Sequence, residues 1–391
     1  MHLLKTYSLA SGAMIDKPFI YQKFFPLPFS DFITFHPCSK NSKTYDYWQD
    51  VIDEIFPVLN NLNIKIIQIG ASGEHSYKNC INIQGGTGLG QVAYLLNKAR
   101  LHLGADSFPV HMASSMSKKI VALYANNFIS NVSPYWSRPE DVALLEPNRG
   151  KDNPNFVLDE NPKTINKIPT EDIVNSVFKL LEINSKSQNK TIFVGSRYSN
   201  TNLIMDFVPN QVVNFAGQKM PTIELRMDLE FNEEILKKQL STSKCSIITN
   251  RPISKDILVY FKKNVVAVFY IVEQSDNPEF IRLLKNLGIK TALISYLSEE
   301  ELSTKKINYY ELGKINRIPA TNKEILDLLN KESNLYYKSN KLIHSNKNIF
   351  FSVADFKNNL PASINQYVKI NKLNEDFASE IEHFKIVKKL D

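Results

Sequence analysis

Short apolar runs that alternate with amphipathic helices constrain this chain more than any other feature of its sequence. Ile64–Ile69 is typical of a buried strand. Tyr47–Leu62, just before it, has the spacing of a helix with Val51, Ile55 and Leu59 on one face. Strands that are apolar on both sides occur in parallel sheets covered by helices, so the pattern predicts an α/β layered fold.

The same alternation continues through the first 185 residues. Buried strands separated by helices of this length predict one parallel sheet with helices on both faces. Residues 1–30 are rich in Pro and aromatic residues and predict an extended lead-in. The remaining predicted elements are strands at Asp31–His36, Cys80–Ile83, Leu101–Gly104 and Ile120–Tyr124, and helices at Leu89–Lys98, Val110–Met116 and from Thr170 to about Glu182.

A second α/β region follows a polar stretch at Asn184–Lys190, which we interpret as a linker. The chain of 391 residues is also too long for one comfortable core. We therefore predict two Rossmann-like domains with parallel sheets, at 1–185 and 190–391. The second has predicted strands at Thr191–Val194, Thr222–Arg226, Ser246–Thr249, Val265–Val272, Thr291–Ser295 and Asn348–Val353, and helices at Asn232–Leu240, Lys255–Lys263, Pro278–Leu287, Lys323–Asn330 and Asp376–Phe384.

The charge of the chain is unevenly distributed. Basic and acidic side chains balance in residues 1–185, so the whole excess of +7 lies in the second region. Two interpretations stay open: lysines that solvate a surface, or a face that meets a polyanion such as a glycan or nucleic acid. The three cysteines are far apart in the sequence, which is typical of a protein from a reducing compartment. No apolar run approaches the roughly 20 residues that span a bilayer. We expect a cytoplasmic protein that can work at a membrane surface.

The segment Leu101–Tyr124 carries the strongest chemical signal. A predicted strand ends at Gly104, Asp106 and Ser107 form a turn, and Pro109 stands where a helix begins. Backbone N–H groups at such a helix start make an anion site at the carboxyl edge of a parallel sheet. The alternative is an ordinary strand-to-helix turn capped by Asp106.

This segment resembles the D-[ST]-G-P-x-H-[LI]-A signature of the heptosyltransferases of glycosyltransferase family nine. Three other segments are similar to the family in the same order: FITFHPCSKNSKTYDYW from Phe32, NIKIIQIG from Asn63 and QGGTGLGQVAYLLNKA from Gln84. The resemblance covers about residues 1–185. It implies the GT-B fold, with a domain that binds a nucleotide-diphosphate sugar, and it implies no cofactor and no metal.

Carried over position by position, the resemblance implies a donor site. Its residues would be Ser39, Lys43, Gly70, Asp106, Ser107, Pro109 and His111. Lys43 would supply positive charge to the departing diphosphate, which gains negative charge as the glycosidic bond breaks. Simpler roles are a solvated loop lysine for Lys43 and helix-start packing for His111.

The sequence departs from the family in three ways. The signature glycine is Phe108, which predicts a narrower pocket without a glycine-only conformation, and the glycine after the first strand is Cys38. The donor-type domain also comes first, so residues 190–391 would be the acceptor domain. The family's glycine–aspartate motif is not recognisable there. Asp206 is our candidate general base, with Asp228 and Glu224 as alternatives.

Three hypotheses about function follow from the sequence. The first is an inverting, metal-independent glycosyltransferase that transfers a sugar to a hydroxyl of an anionic or polyhydroxylated glycan. The second is a glycosyltransferase that acts on hydroxylated nucleic-acid bases, with the basic second region as its support. The third is an inactive module that binds nucleotide sugars, which Phe108, Cys38 and the missing base motif favour.

Overall fold

Two compact units divide the chain. The computed structural model describes residues 1–199, 202–213, 223–273, 275, 277–318, 323–364 and 366–390. One unit consists of Met1–Thr191 with Lys389–Asp391, and the other of Ile192–Lys388. Both contain parallel sheets and helices, so the predicted α/β class is confirmed.

The first unit is built on six strands. They are β1 (Phe32–His36), β2 (Lys65–Gln68), β3 (Ile81–Asn82), β4 (Leu101–Ala105), β5 (Lys119–Leu123) and β6 (Val142–Leu145). All neighbours are parallel and the order is β3-β2-β1-β4-β5-β6, which is the order of Rossmann dinucleotide-binding folds. The direction of winding reverses between β1 and β4, so the loops after these strands diverge and leave a crevice at the carboxyl edge.

Helices cover both faces of this sheet. Successive strand residues point to opposite faces, and neighbours such as Phe32 and Ile33 are both fully buried. Phe32 shares a core with the third and fourth helices, and the second helix packs against the sixth. The helices are α1 (Leu3–Ser11), α2 (Trp48–Asn61), α3 (Leu89–Lys98), α4 (Phe108–Ser115), α5 (Ile129–Val132) and α6 (Thr170–Leu180).

The second unit contains an eight-stranded sheet of another order. Its strands are β8 (Ile204–Phe207), β9 (Ile223–Arg226), β10 (Cys245–Thr249), β11 (Val265–Ile271), β12 (Thr291–Ser295), β13 (Ile315–Arg317), β15 (Lys341–Ser345) and β16 (Asn348–Phe350). The order is β13-β12-β11-β10-β9-β8-β15-β16, and every neighbouring pair is parallel except β15 with β16. From β8 to β13 the strands therefore follow the chain without a reversal.

Four helices pack on one face of this sheet. Leu236, Leu258, Ile281 and Leu302 come from four successive helices and belong to one core. Crossovers between parallel strands are right-handed, so strands laid down in chain order put all their helices on the same side. These helices are α7 (Glu233–Thr242), α8 (Lys255–Tyr260), α9 (Pro278–Asn286) and α10 (Glu299–Asn308), and α11 (Lys323–Leu329) follows.

A smaller sheet completes the second unit. Its strands are β7 (Asn189–Val194), β14 (Leu335–Ser339), β17 (Val368–Lys369) and β18 (Phe384–Lys389), in the order β17-β14-β18-β7. Two short helices, α12 (Val353–Lys357) and α13 (Glu375–Ala378), pack near it. Tyr337, Phe377 and Phe384 form the aromatic centre of this core.

Several predicted elements differ from the structure. The helix predicted at Asp376–Phe384 is wrong, because Phe384–Lys389 pairs with β14 as an antiparallel strand and leaves only the short α13. The lead-in contains α1, and the predicted linker ends in β7. Thr222, the first residue of one predicted strand, lies outside the described residues. Within the described ranges, every helix is too short or too polar to span a membrane.

Candidate functional site

The turn between β4 and α4 lies at the carboxyl edge of the first sheet. The strand ends at Ala105 and the helix begins at Phe108, with Pro109 in its first turn as predicted. The segment after β1 belongs to the same edge, because β1 and β4 are parallel neighbours in register at His36 and Gly104. Ligands bind at this place in open α/β sheets, next to the reversal of strand order.

Asp106 is the charged centre of this turn. Its side chain is only 6% exposed, and its Oδ2 accepts a hydrogen bond from Lys43 Nζ at 2.6 Å. Its Oδ1 lies 3.6 Å from His111 Nε2. Burial would raise the pKa of this carboxyl, but the hydrogen bonds from His111 and Lys43 outweigh burial and hold the pKa below its usual value. Three predicted site residues thus form one charged cluster.

Two serines predicted for the site tie the neighbouring loops together. The Ser39 hydroxyl donates to the Asp106 backbone carbonyl at 3.0 Å. The Ser107 hydroxyl oxygen lies 3.1 Å from the Ala105 carbonyl, to which it donates, and 2.9 Å from His36 Nδ1. Burial lowers the pKa of His36, although Glu74 opposes the shift.

A cavity of about 460 Å³ opens beside the turn. Ser39, Gly70 and Ser107 line it, together with residues that the sequence interpretation missed: His36, Lys40, Glu74 and Thr87. Lys43, Asp106, Pro109 and His111 are outside its described lining. The structure therefore places six of the seven predicted residues in two groups, a cavity wall and the charged cluster next to it, while Pro109 belongs to neither and lies in the first turn of α4. Their role in donor binding stays a prediction.

Glu74 and Thr87 each carry a buried oxygen atom in the cavity wall, and Glu74 Oε2 lies 3.9 Å from His36 Nε2. Within the part of the chain that the structure describes, Glu74 Oε2 and Thr87 Oγ1 have no hydrogen-bond partner. A buried unpaired polar atom is costly, so such atoms in a cavity wall indicate a place for ligand hydroxyl or amide groups. In the sequence, Glu74 could have been found from its position four residues after Gly70, in the loop that follows β2.

Gly70 makes this carboxylate position possible. Its φ of +152° is in the region that favours glycine, and a Cβ there would collide with the Glu74 carboxylate. Gly70 lines the cavity, and its predicted role in donor binding stays a prediction.

The two residues that replace family glycines also line the cavity. Phe108 is the first residue of α4, is 48% exposed, and its ring centroid lies 6.0 Å from that of His36. It is not among the non-glycine residues with positive φ, so the backbone here needs no glycine. Burial, with help from Glu74, raises the pKa of the Cys38 thiol to about 11, which keeps it protonated at neutral pH. Both side chains therefore line the cavity, and neither residue has a positive φ.

The three carboxylates considered as general base lie together in the second unit. Asp206 is opposite Glu224 across β8 and β9, and Asp228 follows two residues after β9. Asp206 is fully buried, with its Oδ2 2.8 Å from an Arg226 nitrogen and 3.3 Å from Lys341 Nζ. Arg226 also binds Asp228 at 2.8 Å.

Asp206 and Glu224 differ in their surroundings. The second oxygen of Asp206, Oδ1, has no hydrogen-bond partner among the described residues. Glu224 is partly exposed, and burial and the Asp206 charge raise its pKa. The role of Asp206 as a base stays a prediction, and its salt bridges with Arg226 and Lys341 show that it also has a structural role. Lys341 was not identified from the sequence.

The strand order and the charged turn define residues 1–191 as a Rossmann-type unit with a polar ligand-binding edge. Residues 29–154 match the model of glycosyltransferase family 9 (heptosyltransferase). The resemblance predicted from the sequence is thereby confirmed for this part of the chain.

Solved structures with partial similarity include three enzymes. The ADP-heptose lps heptosyltransferase II of E. coli is 15% identical, with a TM-score of 0.31, over 46% of this chain and 51% of its own. The family 9 glycosyl transferase of Veillonella parvula DSM 2008 is 20% identical, with a TM-score of 0.32, over 46% and 50%. The E. coli heptosyltransferase WaaC, solved with ADP, is 11% identical, with a TM-score of 0.24, over 32% and 41%.

The similarity to these enzymes is partial. The chain spans about half the length of the first two and less of the third. Comparison with curated proteins gives no match. The similarity of the chain to glycosyltransferase family 9 therefore depends on the match of residues 29–154.

Proposed function

We propose that the chain is a glycosyltransferase whose first unit binds a nucleotide-diphosphate sugar. The observation that carries the proposal is the match of residues 29–154 to glycosyltransferase family 9, because this segment contains the cavity wall and the Asp106 cluster. A Rossmann strand order and a helix start at the ligand edge support the same conclusion.

The Asp106 cluster suits a leaving diphosphate. Lys43 and His111 are cations or potential cations held by one carboxylate. A diphosphate next to α4 would compete with Asp106 for them, and the positive end of the helix dipole would favour the same anion. Donors aimed at the leaving oxygen favour the transition state because charge develops there. Glu74 and Thr87 would bind hydroxyl groups of the donor.

Transfer would proceed by a single displacement with inversion. A carboxylate of the second unit, with Asp206 or Glu224 as candidates, would take the proton from the attacking hydroxyl. The positive side chains near the turn would neutralise charge on the leaving diphosphate, as a metal ion does in other transferases. The acceptor would be an anionic or polyhydroxylated glycan, which agrees with the basic excess of residues 186–391.

Work at a membrane surface has one supporting feature. The N-terminal segment exposes Leu9, Met14 and Phe19, which are 73%, 97% and 91% exposed, and Lys5, Lys17 and Lys23 lie in the same segment. Exposed apolar side chains accompanied by lysines are typical of segments that lie on anionic membranes.

A thermal-shift screen with UDP, GDP, ADP and CDP tests the donor proposal. At least one nucleotide diphosphate should raise the melting temperature, since a ligand that binds only the folded state stabilises it. The absence of any shift at millimolar concentration would remove the basis of the transferase proposal. A shift without transfer from any matching sugar donor would favour a binding module instead, and salt-sensitive DNA binding would favour nucleic-acid bases as acceptors.

A further inference from the structure

A second cavity lies within the second unit. Its volume is about 410 Å³. One side is formed by the end of α12 and the residues after it, and the other by the segment that joins β17 to α13. Small-molecule sites have volumes of roughly 300–1,000 Å³, so this cavity has room for a small ligand.

The floor of the cavity is aromatic. Tyr337 and Phe377 line it, with ring centroids 5.0 Å apart and planes at 75°. The Tyr337 hydroxyl is already bound to Ser352 at 2.9 Å and to the Asp355 carboxylate. Both rings are buried, so they form the base of the cavity, and the apolar surface open to a ligand comes from Leu360 and Ile370.

The wall of the cavity is polar and carries both donors and acceptors. Asp355 binds Tyr337 through Oδ2, Asn358 donates to the Ala354 carbonyl at 2.7 Å, and Asn374 accepts from the Phe377 backbone at 2.9 Å. Each of these side chains can make further hydrogen bonds. Asn371 and Lys372, both exposed, complete the wall.

The combination of groups selects against charged ligands. Asp355 carries a carboxylate and Lys372 an ammonium group, so Asp355 would repel an anionic ligand and Lys372 would repel a cationic one. A neutral ligand with several hydroxyl groups can accept from the lysine and the amides and can donate to the carboxylate and the amides. The apolar C–H face of a sugar ring can also pack on the side chains of Leu360 and Ile370.

We propose that this cavity binds a neutral sugar residue. The proposed function would make that residue part of the acceptor glycan, and this role rests on the transferase proposal. The binding itself is independent of nucleotide and of the first unit.

Saturation-transfer difference NMR on the full chain, without nucleotide, tests the proposal. The probes are glucose, galactose, mannose and N-acetylglucosamine, each at millimolar concentration. We expect saturation of the C–H protons of at least one sugar. Asp355→Asn should weaken that binding about tenfold, as expected for a hydrogen bond to a charged group, and Asn371→Ala should weaken it as well.

Matched variants identify the site. Lys372→Ala should weaken binding, whereas Lys369→Ala, at an equally exposed lysine outside the cavity lining, should not. Asn371→Ala removes an exposed side chain, so it tests the site even if Asp355→Asn disturbs the fold. If none of the four sugars binds, or if the cavity variants bind like Lys369→Ala, the proposal is wrong.

The two proposals fail separately. Lys43→Ala in the first unit should leave sugar binding unchanged. Sugar binding that depends on Asp355 in a chain that binds no nucleotide diphosphate would keep this inference and end the transferase proposal. Nucleotide binding without sugar binding would keep the transferase proposal and end this inference.

Discussion

Lys43 and Lys40 follow β1 on the same loop, and their different surroundings give a sharp prediction. Lys43 donates to the buried Asp106 at 2.6 Å and is 21% exposed in its side chain. Lys40 is exposed, lines the cavity, and has no ion pair among the described residues. We therefore expect the two substitutions to differ. Lys43→Ala should lower stability strongly, whereas Lys40→Ala should act mainly on binding.

The stability effects follow from the contact. A hydrogen bond between charged groups contributes about 1.5–3 kcal/mol. In a unit of this size each kcal/mol changes Tm by about 2–4 °C, so Lys43→Ala should lower the Tm of the first unit by about 3–12 °C. Lys40→Ala removes an exposed side chain without such a contact, and its effect should stay within about 0.5 kcal/mol. Differential scanning calorimetry measures both.

The effects on binding show whether Lys43 contacts the ligand or only holds Asp106 in place. If the Lys43 ammonium moves from Asp106 to the diphosphate, Lys43→Ala should lower the affinity for the best nucleotide diphosphate about tenfold or more. The affinity for the corresponding nucleoside should change little, and calorimetric titration compares the two. The reasoning is refuted if Lys43→Ala lowers Tm but keeps full diphosphate affinity, because Lys43 then only holds Asp106. Equal losses for nucleoside and diphosphate would also show a purely structural role.

Four further predictions concern single side chains. His111→Ala should weaken diphosphate binding by about 1–3 kcal/mol in calorimetric titration, and an equal loss for nucleoside would contradict a phosphate contact. The depressed pKa of Asp106 contributes stability above its usual value of 3.8 that is lost as pH falls through the folded value. The Tm difference between wild type and Asp106→Asn should therefore shrink in acid, and a constant difference would be evidence against the ion pairs. Asp206→Ala should cost about 3–5 kcal/mol in urea denaturation because it breaks a buried ion pair, and wild-type stability would refute this. Phe108→Ala should widen the cavity and leave Tm nearly unchanged, with calorimetric titration expected to show equal or tighter nucleotide binding, and weaker binding would show that the ring contacts the ligand.

Much of the first unit could be predicted from its sequence because its periodic patterns are strong. The Leu89–Lys98 helix has the predicted bounds, and the other predicted strands and helices differ by one or two residues at their ends, whereas β6 and the short α5 were not predicted. The turn at Asp106 could also be located, since Pro109 and the preceding buried strand have clear local preferences. That Asp106 pairs with both Lys43 and His111 depends on distances across the fold, which no local pattern contains.

The second unit was harder for physical reasons. Strand β8 is four residues long and has the buried Asp206 at its centre, so its hydrophobic pattern is interrupted by a charge that only Arg226 and Lys341 compensate. The C-terminal segment has alternating apolar residues that suit a short helix as well as a strand. Pairing of Phe384–Lys389 with β14 decides between them, and that partner lies about fifty residues earlier.

The contrast in strand order between the two sheets bears on where a ligand crevice can form. In an open parallel sheet the crevice lies where the direction of winding reverses, and in the first sheet this place is between β1 and β4. In the second sheet the strands from β8 to β13 follow the chain, and the change of direction falls between β8 and β15. Asp206 and Lys341 stand on these two strands, so their buried ion pair marks the place in the second sheet that corresponds to the β1–β4 boundary of the first.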